Sequence, residues 1–222
     1  MIKIKDYFIP EDDNHFREYF KRFDHYQEAQ RNRALSHVMN WRLAIDVGAN
    51  IGLWSKDLTS YFDKTICFEP NINCIECLKK NINNAKSQIY NLALGSEDTK
   101  LNLFTPSFSG GSSFINETKI GVNEDGSKVY GPFSENVPTN KVEVTTLDSY
   151  NLKNIDFIKI DVQGFEMKVL KGALKTLKNN EPIICIEENK SELSMSETIN
   201  FLIKLEYEVI DRISKEVILK KI

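Results

Sequence analysis

The chain has 222 residues and a formal net charge of −3, with 41% hydrophobic and 27% charged residues. These values are typical of a globular domain with a full apolar core. The negative net charge disfavours non-specific binding to nucleic acid, although a local basic patch would be enough for such binding. The sequence has no run of 18 apolar residues that predicts a membrane span. Because the first residues also lack the apolar core of a signal peptide, we expect a cytoplasmic protein.

The first 40 residues are polar and rich in helix-forming residues. Aromatic side chains recur there at three- and four-residue spacing, at Phe16, Tyr19, Phe20 and Phe23. This spacing predicts a helix with one apolar face. We therefore expect residues 1–40 to form a helical extension packed on the core, and a substrate-facing cap is the alternative.

Residues 41–222 begin with an alternation of short apolar runs and helical patterns. The expected order is strand, helix, strand, helix, strand, over Leu43–Val47, Trp54–Phe62, Thr65–Glu69, Asn71–Asn84 and Gln88–Ala93. Such an order predicts an α/β domain with a parallel sheet and helices on both faces. The pair Cys74 and Cys77 falls in the second helix without a second cysteine pair, so we expect free thiols and not a metal site.

A long insertion then interrupts this order. Residues 105–140 are rich in Gly, Ser, Asn and Pro, and a loop of this length in a compact domain is usually functional or disordered. Its aromatic residues, Phe108, Phe114, Tyr130 and Phe133, would contact an acceptor or only anchor the loop. The remaining expected elements are strands over Lys100–Phe104, Val142–Thr146, Phe157–Asp161 and Ile183–Glu187, helices over Met167–Leu177 and Thr198–Leu205, and a two-stranded tail that turns near Ser214.

The turn after the first strand reads Asp46-Val47-Gly48-Ala49-Asn50-Ile51-Gly52. It lacks the lysine of a phosphate loop and the third glycine of a dinucleotide turn. The carboxylate of Asp46 would repel a pyrophosphate and favour a cationic ligand such as S-adenosylmethionine, by roughly 4 kcal/mol at about 4 Å in a partly shielded cleft before desolvation. Glu69 ends the second strand, where an acid typically binds ribose hydroxyls.

The chain from Leu43 to Glu188 resembles the FkbM family of S-adenosylmethionine-dependent methyltransferases. The similarity is carried by IDVGANIG (45–52), FEP (68–70), NLALG (91–95), TTLDSY (145–150), FIKIDVQGFEMKVLKGA (157–173) and PIICIEE (182–188). Gln163 departs from the glutamate common in that family. The resemblance implies a class I methyltransferase (Rossmann-like) fold, in which the last of seven strands is antiparallel, and methyl transfer to oxygen, often on a sugar or natural product.

The resemblance also implies a cofactor site. Transferred by position, the methionine part of the cofactor would be lined by Asp46, Gly48, Asn50 and Gly52. Glu69 would bind the ribose hydroxyls. Asn91 and Ala93, which end the third predicted strand, would flank the adenine.

Catalytic candidates follow the fourth and fifth strands, because sheets of this kind bind ligands at the carboxyl ends of their strands. Asp161 and Glu187 end these strands, and Glu166 follows shortly after Asp161. In one mechanism Asp161 or Glu187 is the general base for a substrate hydroxyl. In the other, Asp161 with Glu187 or Glu188 and with Asn189 holds a divalent cation such as Mg²⁺, which lowers the pKa of that hydroxyl.

The expected acceptor is therefore a hydroxyl group of a sugar, glycan or small metabolite. An RNA ribose 2′-O-methyltransferase is an alternative with the same cofactor fold. Such enzymes often have a lysine near the acceptor hydroxyl, and Lys159 and Lys190 are the candidates for that position. A protein that binds the cofactor without catalysis is another alternative. A nicotinamide dehydrogenase is disfavoured, because the turn lacks the third glycine and begins with an acid.

Overall fold

A computed structural model describes residues 1–105, 112–114, 118–122, 128–131, 138–187 and 193–222. In chain order its elements are β1 (Ile2–Ile4), β2 (Tyr7–Ile9), α1 (Asn14–Arg22), α2 (Glu28–Leu35), β3 (Leu43–Val47), α3 (Ser55–Tyr61), β4 (Lys64–Phe68), α4 (Ile72–Asn81), β5 (Ser87–Tyr90), β6 (Ala93–Leu94), β7 (Thr99–Phe104), β8 (Thr118–Val122), β9 (Lys128–Gly131), β10 (Thr139–Thr145), a 3-10 turn (Leu147–Tyr150), β11 (Ile155–Ile160), α5 (Glu166–Lys171), α6 (Leu174–Asn180), β12 (Ile183–Glu187), α7 (Leu193–Lys204), β13 (Tyr207–Ile213) and β14 (Glu216–Lys221).

The centre of the molecule is a seven-stranded sheet in the order β13-β14-β12-β11-β3-β4-β5. The five strands from β12 to β5 pair in parallel, and β14 is antiparallel to both β12 and β13. This arrangement confirms the predicted α/β class and the antiparallel last strand. It also places β11 beside β12, so that their carboxyl ends open at the same edge.

Side chains alternate between the two faces of the sheet, as strand geometry requires. Ile45 and Val47 of β3 belong to a core cluster that includes α5, α6 and α7 residues, whereas Ala44 belongs to a second cluster with α2 and α3. Helices therefore cover both faces. This burial on both sides explains why the central strands read as nearly continuous apolar runs.

Two predicted elements, one helix and one strand, are each shorter in the structure than we expected. The expected helix over 167–177 breaks at Gly172, where an added Cβ would lie 1.9 Å from the carbonyl oxygen of Gly95. The expected third strand ends at Tyr90, because Ala93 and Leu94 leave the main sheet and pair in parallel with β10. The prediction that Asn91 and Ala93 end the third strand was therefore wrong.

The N-terminal extension contains α1 and α2, but a β-hairpin precedes them. The expectation of a wholly helical segment therefore does not hold over residues 2–9, where β1 and β2 pair through a turn in which Lys5 has φ +50°. Asn81 of α4 holds this hairpin, because its side chain exchanges hydrogen bonds with both backbone groups of Phe8 and donates to the carbonyl oxygen of Ile51. Phe16 and Phe20 of α1 are buried against the core.

The inserted segment is described in part. Strands β6, β10 and β7 form a small second sheet, and β8 pairs with β9 as a hairpin. Phe108, Phe133 and the side chain of Tyr130 lie outside the described residues. Within the described ranges, no helix has both the length and the apolar character that a membrane span needs.

Candidate active site

A cavity of about 250 Å³ lies at the carboxyl ends of β3, β4, β11 and β12. Besides these strand ends, its lining includes the glycine turn after β3, residues of the N-terminal extension, and the described residues 112–114 of the insertion. The carboxyl edge of a parallel sheet is where this class of fold binds ligands. The cavity is therefore the candidate site.

The glycine turn is fixed by contact with its two neighbouring strands. Gly48 has φ +83°, and a Cβ at this position would lie 1.9 Å from the carbonyl oxygen of Asp161. The backbone N–H groups of Gly48 and Ala49 both donate to the carbonyl oxygen of Phe68, at 2.9 and 3.1 Å. Only glycine permits this conformation together with such a close approach.

Asp46 lies beneath the turn and is 2% exposed. Its Oδ2 accepts a hydrogen bond from the hydroxyl of Ser55 at 2.5 Å. Burial raises the pKa of Asp46 to about 6, and the Ser55 hydrogen bond and the Lys159 charge oppose this rise. At neutral pH the side chain is thus largely an anion inside the cavity.

Glu69 connects the turns that follow β3 and β4. Its Oε2 accepts from the backbone N–H of Asn50 and its Oε1 from that of Asn71, both at 2.7 Å. Burial raises the pKa of Glu69 to about 7, although these two backbone hydrogen bonds favour the charged form. The carboxylate is held in one orientation on the cavity wall, and each oxygen retains a second lone pair for a ligand hydroxyl.

Asp161 and Glu187 follow the neighbouring strands β11 and β12, and both line the cavity. The side-chain amide of Gln163 donates to Asp161 Oδ1 at 2.7 Å and to Glu187 Oε2 at 3.2 Å. The charge of Asp161 is the main cause that raises the pKa of Glu187 to about 7, and burial adds to it. Glu187 therefore titrates near neutral pH, which suits a general base.

Lys159 and Lys215 place positive charge near the carboxylates of Asp161 and Glu187. Lys159 Nζ is buried at 2.8 Å from Glu216 Oε2 and 3.9 Å from Asp161 Oδ2, and Lys215 Nζ lies 3.3 Å from Glu187 Oε1. Burial alone would lower the pKa of Lys159, but the charges of Glu216 and Asp161 outweigh it and raise that pKa. Lys159 therefore remains an ammonium ion and lies 5.0 Å from the ring centroid of Trp54.

Aromatic side chains form much of the remaining wall. Phe16, Tyr26, Trp54, Phe114 and Phe165 line the cavity, and the rings of Phe114 and Phe165 are 4.7 Å apart. Burial raises the pKa of the Tyr26 hydroxyl, with smaller contributions from the charges of Asp161 and Glu187.

A hydrogen bond attaches the extension to this wall. The indole N–H of Trp54 donates to Gln27 Oε1 at 2.7 Å. Because Tyr26 and Gln27 also line the cavity, the extension both packs on the core and faces the site. The two interpretations of the aromatic stripe are therefore not mutually exclusive.

The structure brings most of the predicted site residues together. The cavity is lined by Asp46, Gly48, Asn50, Glu69, Ala93, Asp161 and Glu187. Gly52 and Asn91 are not among the lining residues: a Cβ on Gly52 would meet Leu78, and the Asn91 amide donates to the carbonyl oxygens of Glu69 and Pro70.

Glu166 has a different place from the one we expected. Its Oε1 accepts hydrogen bonds from the backbone N–H groups of Val162 and Gly164, at 3.2 and 3.1 Å, and it does not line the cavity. The carboxylate that was predicted to be catalytic instead closes the turn after β11. We reassign Glu166 as a residue that positions this turn.

Of the residues predicted to hold a cation, only Asp161 and Glu187 belong to the described part of the chain. Among the described residues no three His, Cys, Asp or Glu side chains converge as metal ligands. One oxygen each of Asp161 and Glu187 already accepts from the Gln163 amide, whose nitrogen is a donor and not a ligand. Glu188 and Asn189 lie outside the described residues.

A family model described as the methyltransferase FkbM domain matches residues 46–209. This chain belongs to the FkbM family. The relatives of this FkbM domain include methyltransferase 1 of Beauveria bassiana, which is 28% identical over 141 residues, or 58% of this chain and 57% of that protein. The match to this chain thus covers less than two thirds of that relative's length.

Solved structures show the same class I methyltransferase fold. The methyltransferase FkbM of Methylobacillus flagellatus has a TM-score of 0.54 to this FkbM domain at 16% identity, covering 81% of this chain and 43% of that one. A Streptococcus mutans protein solved with S-adenosylhomocysteine has a TM-score of 0.51 at 12% identity, covering 88% and 97%. At these identities the similarity establishes the fold alone.

The FkbM match begins at residue 46, so the extension lies outside it. Sequence reasoning missed the contributions of Tyr26, Gln27 and Lys215 to the cavity, because each comes from a segment distant in sequence from the strand ends. By contrast, Lys159 could be placed beside Asp161 from the sequence. It precedes Asp161 by two residues along a predicted strand, and alternate residues of a strand point to the same face.

Proposed function

We propose that this FkbM domain is an S-adenosylmethionine-dependent O-methyltransferase that acts on a hydroxyl of a sugar, glycan or small metabolite. The observation that carries the proposal is one cavity lined by four acidic residues along the carboxyl edge of the sheet. Asp46 and Glu69 lie at the ends of β3 and β4, and Asp161 and Glu187 lie at the ends of the adjoining strands β11 and β12. A methyl donor and a hydroxyl acceptor need such an arrangement of two adjacent sites.

The residues around the glycine turn fit the cofactor. Glu69 presents an oriented carboxylate to ribose hydroxyls, and Asp46 supplies a buried negative charge that favours a cationic ligand. The turn backbone at Gly48 can approach a ligand closely, since it has no side chain. When bound, S-adenosylmethionine supplies a methyl group that its sulfonium already activates.

The ends of β11 and β12 support the acceptor chemistry. Glu187 has a pKa raised to about 7 by Asp161 and by burial, so it can accept a proton from a hydroxyl near neutral pH, and Asp161 beside it is the other candidate base. The ammonium of Lys159 lies 3.9 Å from Asp161 Oδ2 and so places positive charge beside the pair. Tyr26, Trp54 and Phe114 line the cavity, so their side chains can contact the apolar face of a sugar ring.

Calorimetry with S-adenosylhomocysteine, and with NAD as the control ligand, tests the cofactor. Micromolar binding of S-adenosylhomocysteine alone supports the proposal, whereas binding of NAD instead, or of neither ligand, contradicts it. An acceptor screen that begins with sugars and measures release of S-adenosylhomocysteine tests the reaction. RNA belongs in the same screen, because transfer to RNA alone would favour the ribose-methylating alternative.

Asp161→Asn tests the assigned base. We expect it to abolish turnover and to leave the affinity for S-adenosylhomocysteine within a few-fold, because the substitution changes the side chain that bonds to Gln163 and leaves in place the backbone carbonyl that packs on the glycine turn. Asp63→Asn is the matched control, since Asp63 is exposed and distant from the cavity. Unchanged turnover in Asp161→Asn would remove Asp161 from the mechanism.

A further inference from the structure

A neutral amide, that of Gln163, bonds to the carboxylates of both Asp161 and Glu187. Both hydrogen bonds from Gln163 Nε2 go to carboxylate oxygens, one to Asp161 at 2.7 Å and one to Glu187 at 3.2 Å. A primary amide has two N–H donors, and both are used here. Asp161 and Glu187 are thus held together by a hydrogen-bond donor, in a place where a cation would otherwise relieve their repulsion.

The other oxygens of the pair have positive charge nearby. Lys159 Nζ lies 3.9 Å from Asp161 Oδ2, and Lys215 Nζ lies 3.3 Å from Glu187 Oε1. Each carboxylate therefore has the shared amide on one oxygen and a lysine ammonium near the other. The charge of the pair is offset by groups of this chain.

The backbone of Gln163 is held in an unfavourable conformation. Its φ of +52° lies in the left-handed region, which a long side chain seldom adopts. The hydroxyl of Ser113 donates to the Gln163 carbonyl oxygen at 2.9 Å, and Glu166 fixes the N–H groups on both sides of Gln163. Backbone strain that neighbouring groups maintain in this way is common where a side chain must be placed at a functional site.

We propose that Gln163 is a positioning residue that holds Asp161 and Glu187 as a cation-independent pair, and that a carboxylate at this position would turn the pair into a divalent-cation site. Glutamate has nearly the same shape as glutamine, but it lacks the two donors and adds a negative charge. Three converging carboxylates are ligands that Mg²⁺ and Mn²⁺ prefer. This proposal rests on the proposed function in one respect only, namely that the Asp161–Glu187 pair lies beside the methyl acceptor.

The first experiment measures binding of Mn²⁺ alone by electron paramagnetic resonance at about pH 8. It compares the wild type with Gln163→Glu and with the matched control Gln88→Glu, whose residue bonds to Tyr90 away from the cavity. We expect Gln163→Glu to bind one Mn²⁺ at least about ten-fold more tightly than the other two proteins. Addition of Asp161→Asn should remove this gain.

Equal Mn²⁺ affinity in the wild type and Gln163→Glu would overturn the proposal, because the amide would then not be what keeps the pair free of a cation. A gain that persists after Asp161→Asn would also overturn it, since the new site would lie elsewhere.

A second measurement does not require Gln163→Glu to fold. The side-chain NH₂ signals of Gln163 in a ¹⁵N-labelled protein can be assigned by their loss in Gln163→Met. We expect both Asp161→Asn and Glu187→Gln to shift these signals, because each removes one charged acceptor. Signals that stay in place in both variants would refute the bridge. Failure of the wild type to bind S-adenosylhomocysteine would instead refute the proposed function and leave the Mn²⁺ and NMR results valid.

Discussion

Substitution of Gly48 by alanine tests how closely the glycine turn packs on the strand that carries Asp161. The new Cβ would lie 1.9 Å from the Asp161 carbonyl oxygen, whereas real Cβ atoms essentially never approach within 3.0 Å. The obstacle is backbone, so the ends of β3 and β11 must separate by about 1 Å. Strain from φ +83° costs about 1–2 kcal/mol, and overpacking adds about 1–3 kcal/mol.

The expected loss in the free energy of unfolding is therefore about 2–5 kcal/mol, a large part of the roughly 5–15 kcal/mol that stabilises a domain. Urea unfolding measures it. Gly52→Ala is the matched control, because Gly52 has a similar φ of +89° but meets the flexible side-chain ends of Leu78 and Ile82. Affinity for S-adenosylhomocysteine should fall at least about ten-fold in Gly48→Ala and stay within a few-fold in Gly52→Ala. Equal losses of stability in the two variants would refute the reasoning.

Three further predictions concern acidic residues of the site. Glu69→Gln should weaken S-adenosylhomocysteine binding by about 10–100-fold, the value of one or two charged hydrogen bonds, and unchanged affinity by calorimetry would argue against ribose recognition. Because Asp161 and burial raise the pKa of Glu187 to about 7, turnover should rise from about pH 6 to about pH 8 as Glu187 loses its proton; a rise that persists in Glu187→Gln would contradict this assignment. Glu166→Ala should lower the free energy of unfolding by about 1–3 kcal/mol, because two partly buried N–H groups lose their acceptor, and Glu166→Gln should restore most of it. Loss of turnover in Glu166→Ala at unchanged stability would restore a catalytic role.

The central sheet was predictable because its signals are local. Leu43–Val47 and Ile183–Glu187 were predicted at their observed bounds, since a continuous apolar run between polar turns suffices to identify a strand buried on both faces. The breaks were not predictable in the same way. Gly172 ends α5 because it meets the backbone of Gly95, and a contact between residues so distant in sequence leaves no local pattern.

The same distinction holds at the site. The strand-end acids Asp46, Glu69, Asp161 and Glu187 could be named from the sequence, because the carboxyl ends of parallel strands share one edge. The direction in which each side chain points could not be predicted from the sequence. Glu166 follows the same strand as Asp161, yet its carboxylate turns back to the backbone, and only the left-handed turn at Gln163 and Gly164 explains why.

The contact between Trp54 and Gln27 has a practical use in fluorescence. The chain has two tryptophans; Trp41 is 36% exposed and Trp54 is 5% exposed. In a Trp41→Phe protein, emission would come from Trp54 alone, which sits against Phe157 and near Lys159 inside the cavity wall. Its wavelength would report whether the N-terminal extension is seated, and a ligand that enters the cavity would change its intensity without any added dye.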